Sequence, residues 1–334
     1  MALYCGIDLH SNNHVVSVID DSDTKLVEKK LDNDIRHTLD TLAPYRDDLT
    51  GVAVESTFNW YWLVDGLQDN GFPVKLVNPA AVKQYEGLKH TDDKYDAWYL
   101  AHLMRLNILP TGHIYPKQER AVRDLLRRRS QLVHMRAQSL ISLQSLIWRV
   151  TGKRISSNQL RQAEPALPLH GNHLYNAQAL VAVMQSLGKE IDRIEKRVTG
   201  HLSDNPSFRL LQTMTGIGPI LAMSIVMETG DIQRFDRVGQ YASYARCVKS
   251  EKTSNGKKKG EGNRKSGNKY LSWAWSEASH FAVRFSKQAH RFYERKKRKT
   301  NGIVAIRATA HKLARAGYYV MKRQEPYDES RLFV

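Results

Sequence analysis

The sequence predicts an α/β domain, then two long helices, then a basic and mostly helical C-terminal part. Three observations carry this. Up to about residue 110, short β-branched runs alternate with helical apolar spacings. Residues 118–150 and 175–203 then place apolar residues three and four apart with dense charge between them. The charge also changes sign along the chain: 1–110 hold 10 Lys/Arg against 17 Asp/Glu, whereas 246–299 hold 17 against 4. The expected parts are 1–110, 111–205 and 206–334, each long enough to bury a core or to extend one.

Taken in order, Leu3–Leu9 is an apolar run that carries an acid at Asp8, and His14–Ile19 is a β-branched strand, with Ser11-Asn12-Asn13 as the turn between them. Residues 34–48 read as helix. Val52-Ala53-Val54-Glu55 is a second apolar run ending in an acid. Trp60–Asn70 has helical spacing, Phe72–Asn78 reads as a strand, and one helix is expected from Ala80 to Leu106. The two long stretches after Pro110 suit an antiparallel helical hairpin, interrupted around 152–172, where Pro165 and Pro168 lie. Later, Thr215-Gly216-Ile217-Gly218-Pro219 opens an apolar helix. A polar Lys, Gly, Ser and Asn segment over 249–268 reads as loop, and helices resume over 270–287 and 301–322, with Arg295–Lys299 between them.

The overall balance of +17 favours a partner rich in phosphate. No apolar run reaches the roughly 18 residues that a membrane-spanning helix needs. The N-terminus has no secretory pattern, and two lone cysteines, Cys5 and Cys247, suit a reducing cytoplasm. The acids suggest chemistry. Asp8 and Glu55 each end an apolar run read as a strand, while Asp93 and Asp96 share one helix face at i, i+3. Four carboxylates converge if the two strands are neighbours and the helix crosses their ends. Asp92 is an alternative to Asp93, without the i, i+3 spacing. Carboxylates gathered this way repel unless they hold divalent cations, and hard oxygen donors select Mg²⁺ or Mn²⁺. The tryptophans Trp60, Trp62, Trp98 and Trp148 lie at helical spacings that suit packing rather than base stacking.

Gly6-Ile7-Asp8, Val54-Glu55-Ser56-Thr57 and Thr91-Asp92-Asp93-Lys94-Tyr95-Asp96-Ala97 resemble the D, E and D-x-x-D motifs of the insertion-sequence DEDD transposases, relatives of Piv-type DNA invertases and bridge-RNA-guided serine recombinases. The resemblance implies a RuvC-like, ribonuclease H-type N-terminal domain, a coiled-coil connector and a C-terminal transposase domain. It implies Asp8, Glu55, Asp93 and Asp96 as ligands of Mg²⁺ or Mn²⁺. Leu211–Pro219 resembles the family's G-I-G segment, so Gly216 and Gly218 would present backbone N–H groups to a phosphate. Lys265-Ser266-Gly267-Asn268-Lys269-Tyr270-Leu271 resembles its K-x-G-N-x-x-L helix start. Counting from Tyr241–Ala245 makes Ser254 the implied nucleophile. Ser250 and Ser266 are the rivals, because Arg246-Cys247-Val248-Lys249 replaces the family's usual G-L-x-P turn.

Lys257, Lys258, Lys259, Arg264, Lys265 and Lys269, with Arg127, Arg128 and Arg129, would contact nucleic-acid backbone. The implied activity is DNA cleavage and rejoining through a covalent phosphoserine. The implied partners are double-stranded DNA and a structured bridge RNA, and the implied assembly is a tetramer built as a dimer of dimers, cytoplasmic and nucleoid-associated. A water-using nuclease or junction resolvase, and a non-catalytic nucleic-acid-binding protein, are the competing readings.

Overall fold

The computed structural model describes residues 1–82, 92–249, 251–260 and 266–333. The chain divides into two compact units, Met1–Lys117 and Gln118–Val334.

In the first unit, β1 (Leu3–Leu9), β2 (Asn13–Ile19), β3 (Lys25–Asp32), β4 (Leu49–Glu55) and β5 (Val74–Val77) form one mixed sheet in the order β3-β2-β1-β4-β5. Strands β1, β4 and β5 run parallel, while β2 and β3 are antiparallel to their neighbours. One face packs Cys5, Ile7, Val16, Val52 and Val54 against Leu42 of α1 (Ile35–Leu42) and Leu63 and Leu67 of α2 (Tyr61–Asp69). The other packs Ala53 and Val77 against Leu100, Leu103 and Met104 of α4 (Asp93–Arg105), which follows the short α3 (Pro79–Val82). Burial on both faces explains why β1 and β4 are nearly continuous apolar runs. A mixed sheet with helices on both faces is compatible with a ribonuclease H-like α/β domain.

Two details differ from the sequence reading. No strand is read over Lys25–Asp32, because β3 is an edge strand whose only buried side chain is Val27. The single helix expected from Ala80 to Leu106 is not continuous. Asp92 is extended (φ −123°, ψ 169°), and its carboxylate caps α4 by accepting from the Tyr95 backbone N–H at 2.8 Å. Residues 83–91, Thr91 of the third motif among them, lie outside the described residues.

In the second unit, α5 (Lys117–Thr151) and α7 (Gly171–Leu202) flank the short α6 (Ser157–Leu160). They pack antiparallel: Leu143 and Ile147 meet Ala177 and Met184, and Arg129 Nε bonds Glu195 at 2.7 Å. Trp148 is not core. It is 49% exposed, with the Arg154 guanidinium 4.0 Å from its ring centroid.

The rest of the unit comprises α8 (Pro206–Leu211), α9 (Pro219–Thr229), α10 (Val238–Tyr244), α11 (Lys269–Phe285), α12 (Lys287–Lys299) and α13 (Gly302–Arg323). Helix α9 is apolar all round because every residue from Leu221 to Thr229 is buried. The run Arg295–Lys299, read as a connector, is instead the last turn of α12, where its cations complement the helix dipole. The 249–268 segment contains a β-hairpin, β6 (Lys252–Ser254) and β7 (Lys257–Gly260), turned by Asn255-Gly256 with φ of 51° and 70°. Positive φ at both positions makes this a type I′ turn, for which Asn-Gly is the preferred pair. Among the described residues, no helix is long and apolar enough to cross a membrane.

Candidate functional site

The acids come together through two backbone facts. Parallel pairing of β1 with β4 sets Ile7 opposite Val54, so Asp8 and Glu55 leave adjacent strands at the same end. Helix α4 then lies against β1 and β2, which requires Gly6: a Cβ there would stand 2.0 Å from the Ala97 carbonyl oxygen and 2.7 Å from the Ala101 nitrogen. With that contact made, Asp93 and Asp96 in the first turn of α4 face the strand ends.

Asp8 is 3% exposed, and its carboxyl is pushed up to about 8. Burial is the largest cause. A hydrogen bond with Glu55 follows, then the negative charges of Glu55, Asp96 and Asp93. A buried acid held protonated by three neighbours is what four convergent carboxylates produce when no cation balances them.

His10 joins this group, and the sequence reading missed it. His10 lies one residue past the end of β1 and two after Asp8, and its ring comes to the same side as the Asp8 carboxylate; that i, i+2 spacing was the available signal. The His10 carbonyl accepts from Asn59 Nδ2 at 2.9 Å and Asn33 Nδ2 at 3.1 Å, which pins the turn. Its Nε2 lies 3.1 Å from Asp8 Oδ2 and 3.3 Å from Asp93 Oδ2, and Lys30 Nζ stands 3.9 Å from the same Asp93 oxygen. Asp8 Oδ2 and His10 Nε2 are both buried atoms that meet at ion-pair distance without the alignment of a hydrogen bond, and neither has a hydrogen bond elsewhere among the described residues. Asp8, His10 and Asp93 can each offer one atom within 4.8 Å of the others. Asp92, the alternative to Asp93, has its carboxylate engaged in capping.

The serine region belongs to the second unit. Ser254 ends β6, exposed, opposite Lys257 across the hairpin. The exposed Lys257 and Lys259 share this hairpin, as does Lys258. Ser250, Arg264 and Lys265 lie outside the described residues, and Ser266 is exposed, with its carbonyl accepting from Arg246 Nε at 3.1 Å. Gly267 (φ 88°) packs where a Cβ would meet the Tyr244 carbonyl at 2.5 Å. Asn268 caps α11 through its Oδ1 and donates from Nδ2 to Glu228 at 2.7 Å. Lys269 is exposed, its Nζ 5.1 Å from the Tyr270 ring centroid.

Glu228, 2% exposed, is the hub of this region and another residue the sequence reading missed. Arg127 grips it with two bonds, Nε at 2.6 Å and Nη2 at 2.8 Å. Burial alone would lower the Arg127 pKa, but the bonds and charge of Glu228 outweigh it and raise it. Arg127 and Arg129 are therefore held in ion pairs within the protein, and the exposed Arg128 bonds Gln131 at 2.7 Å. Gly216 (φ 95°) lies against α11, where a Cβ would meet the Ala278 carbonyl at 2.6 Å, whereas the Gly218 position is open. Glu228→Ala, which strands the buried ends of Arg127 and Asn268, is expected to destabilise the second unit by about 3 kcal/mol in denaturant unfolding. A loss below about 1 kcal/mol would show that the hub is dispensable. A cavity of about 600 Å³ in the same unit, lined by His311, Arg315, Tyr319 and Arg331, contains none of the acids.

Comparison with known proteins fits this division. A DEDD-type transposase model of IS110 matches residues 5–150, which contain all four acids and His10. A second, described as transposase of the IS116/IS110/IS902 family, matches residues 208–294, which contain Gly216, Glu228 and Ser254. A Pseudomonas aeruginosa protein named as a probable family 20 transposase is 26% identical over 231 residues, covering 66% of this chain and 67% of its own. A Streptomyces coelicolor protein named as the mini-circle putative transposase for IS117 is 23% identical over an alignment covering 100% of this chain and 97% of its own. Two matches in chain order, together with a full-length relative, settle the classification: the chain belongs to the insertion-sequence DEDD transposase family.

Proposed function

We propose that this transposase cuts and rejoins DNA at the ends of an insertion sequence through a covalent phosphoserine. The observation that carries the reading is the convergence of Asp8, Glu55, Asp93 and Asp96, with Asp8 buried and its Oδ2 without an aligned hydrogen bond. That arrangement fits a divalent cation, Mg²⁺ or Mn²⁺, held by these acids; such an ion supplies Lewis-acid stabilisation of charge on a phosphate undergoing in-line displacement. Ser254 is the proposed nucleophile. As its Oγ bonds to phosphorus, the bond from phosphorus to a sugar oxygen breaks, and that oxygen leaves as a hydroxyl after taking up a proton. Rejoining reverses the step with a hydroxyl from another strand, so phosphodiester energy is conserved and no nucleotide is consumed.

The three-part organisation (1–110, 111–205 and 206–334) is retained as the functional partition: RuvC-like metal domain, coiled-coil connector, transposase domain. Exposed lysines 257, 259 and 269 support contact with the DNA backbone. The proposal extends to assembly as a tetramer and to a bridge RNA whose base pairing selects the DNA. Family resemblance supports both.

The test uses the full chain with Mg²⁺, RNA transcribed from the element's end and labelled DNA spanning an element junction, followed by denaturing gels that retain protein. Wild type is expected to give a labelled protein–DNA adduct, and Ser254→Ala and Asp93→Asn none. Free nicked DNA persisting in Ser254→Ala would replace the phosphoserine with water as nucleophile.

A further inference from the structure

We propose that His10 is a fifth ligand at the acid cluster, and that its nitrogen makes this chain's metal centre prefer Mn²⁺ over Mg²⁺. The inference rests on the reading that the acids hold a divalent cation. It starts from an oddity of geometry: Nε2 of His10 lies almost equally far from Asp8 Oδ2 (3.1 Å) and Asp93 Oδ2 (3.3 Å), yet forms a hydrogen bond with neither. The ring nitrogen is thus shared between two carboxylates at ion-pair distance rather than aligned on one of them.

Three donor atoms gathered around a common point take such an arrangement, because neighbouring vertices of an octahedron with bonds of about 2.1 Å are separated by about 3 Å. The separations of His10 Nε2 from the two acid oxygens, 3.1 and 3.3 Å, match that spacing. Both Asp8 Oδ2 and His10 Nε2 are buried and lack an aligned hydrogen bond, facing each other only at ion-pair distance, which leaves room in the bonding of each for a shared ligand. The His10 backbone is also fixed from two sides, by Asn33 and Asn59, so the ring is presented from a pinned turn rather than a free loop.

The chemical consequence follows from donor type. A cage of carboxylate oxygens alone suits Mg²⁺, a hard ion that keeps much of its water. Imidazole nitrogen is a softer donor that transition ions accept readily, and Mn²⁺ tolerates a mixed oxygen and nitrogen shell.

The experiment is metal titration of the full chain by calorimetry with MnCl₂ and with MgCl₂, joined to pulsed electron paramagnetic resonance of the Mn²⁺-loaded protein. Wild type is expected to show nitrogen hyperfine coupling to Mn²⁺. In His10→Ala that coupling should vanish and Mn²⁺ affinity fall about tenfold or more, with Mg²⁺ affinity changed less than about threefold. His10→Gln, which keeps side-chain bulk and offers an oxygen, should bind Mg²⁺ normally without the Mn²⁺ preference.

Absence of nitrogen coupling in wild type, or an unchanged Mn²⁺ to Mg²⁺ ratio in His10→Ala, overturns the role of His10. In that case the acid site still stands if Asp8→Asn weakens both metals. If Asp8→Asn alters neither metal, the reading of the acids as a metal site fails as well.

Discussion

Asp8→Asn is expected to abolish DNA cleavage and, without divalent cation, to raise the thermal stability of the N-terminal unit at pH 8. The two effects share one cause. The folded Asp8 carboxyl sits near 8, against an ordinary 3.8, so between about pH 4 and pH 8 the folded chain holds a proton that the unfolded chain has released. Stability therefore falls as pH rises through that window and levels off above about 8. Every tenfold gain in proton affinity on folding corresponds to about 1.4 kcal/mol, so the accumulated penalty is on the order of a few kcal/mol. Glu55, Asp93 and Asp96 face Asp8 with negative charge, and among the described residues His10 and Lys30 are the basic groups within 4.0 Å of Asp8 or Asp93.

An amide at this position removes the penalty and also the metal donor. Scanning calorimetry of wild type and Asp8→Asn from pH 5 to pH 8.5 should show the wild-type midpoint falling with pH and the variant's nearly flat. Added Mn²⁺ should raise only the wild-type midpoint, by mass action on the folded state. A variant less stable than wild type at pH 8 without metal would make Asp8 a structural acid.

Gly6→Ala is expected to be the most damaging single methyl in the N-terminal unit. The added Cβ meets backbone atoms of α4 at 2.0 and 2.7 Å, and a backbone has no rotamer by which to withdraw. Helix α4 must shift outward by more than about 1 Å, at roughly 1–3 kcal/mol of stability. The same shift carries Asp93 and Asp96 away from Asp8, and a misplacement of about 1 Å costs catalysis on the order of a hundredfold. Gly200→Ala in α7, where a Cβ meets nothing within 4 Å, serves as the control and should be neutral or stabilising by about 0.5–1 kcal/mol. Adduct formation in Gly6→Ala at wild-type rate would show that α4 does not position the acids.

Much of the architecture is local in origin, and so was legible. Strands β1 and β4 announce themselves because both faces are buried, which leaves an unbroken apolar run ending in an acid. Helices α5 and α7 are legible because period 3.6 records the faces they bury, and α9 because its run is apolar on nearly every side. The i, i+3 pairing of Asp93 with Asp96 is likewise a property of one helix. Strand β3 and helix α12 leave weak traces: an edge strand buries little, and a strongly basic surface helix resembles a charged connector. Asn255-Gly256 did carry a turn signal, obscured by the polar composition around it.

The sequence by itself determined which side chains lie on one strand or one helix turn, because covalent geometry sets those neighbours. Only the tertiary structure decided which turns meet. It engaged Asp92 in capping α4, placed His10 between Asp8 and Asp93, and held Arg127 on Glu228 101 positions away. Each of these depends on strand order or helix packing, where contacts span tens of residues and no local periodicity records the partner.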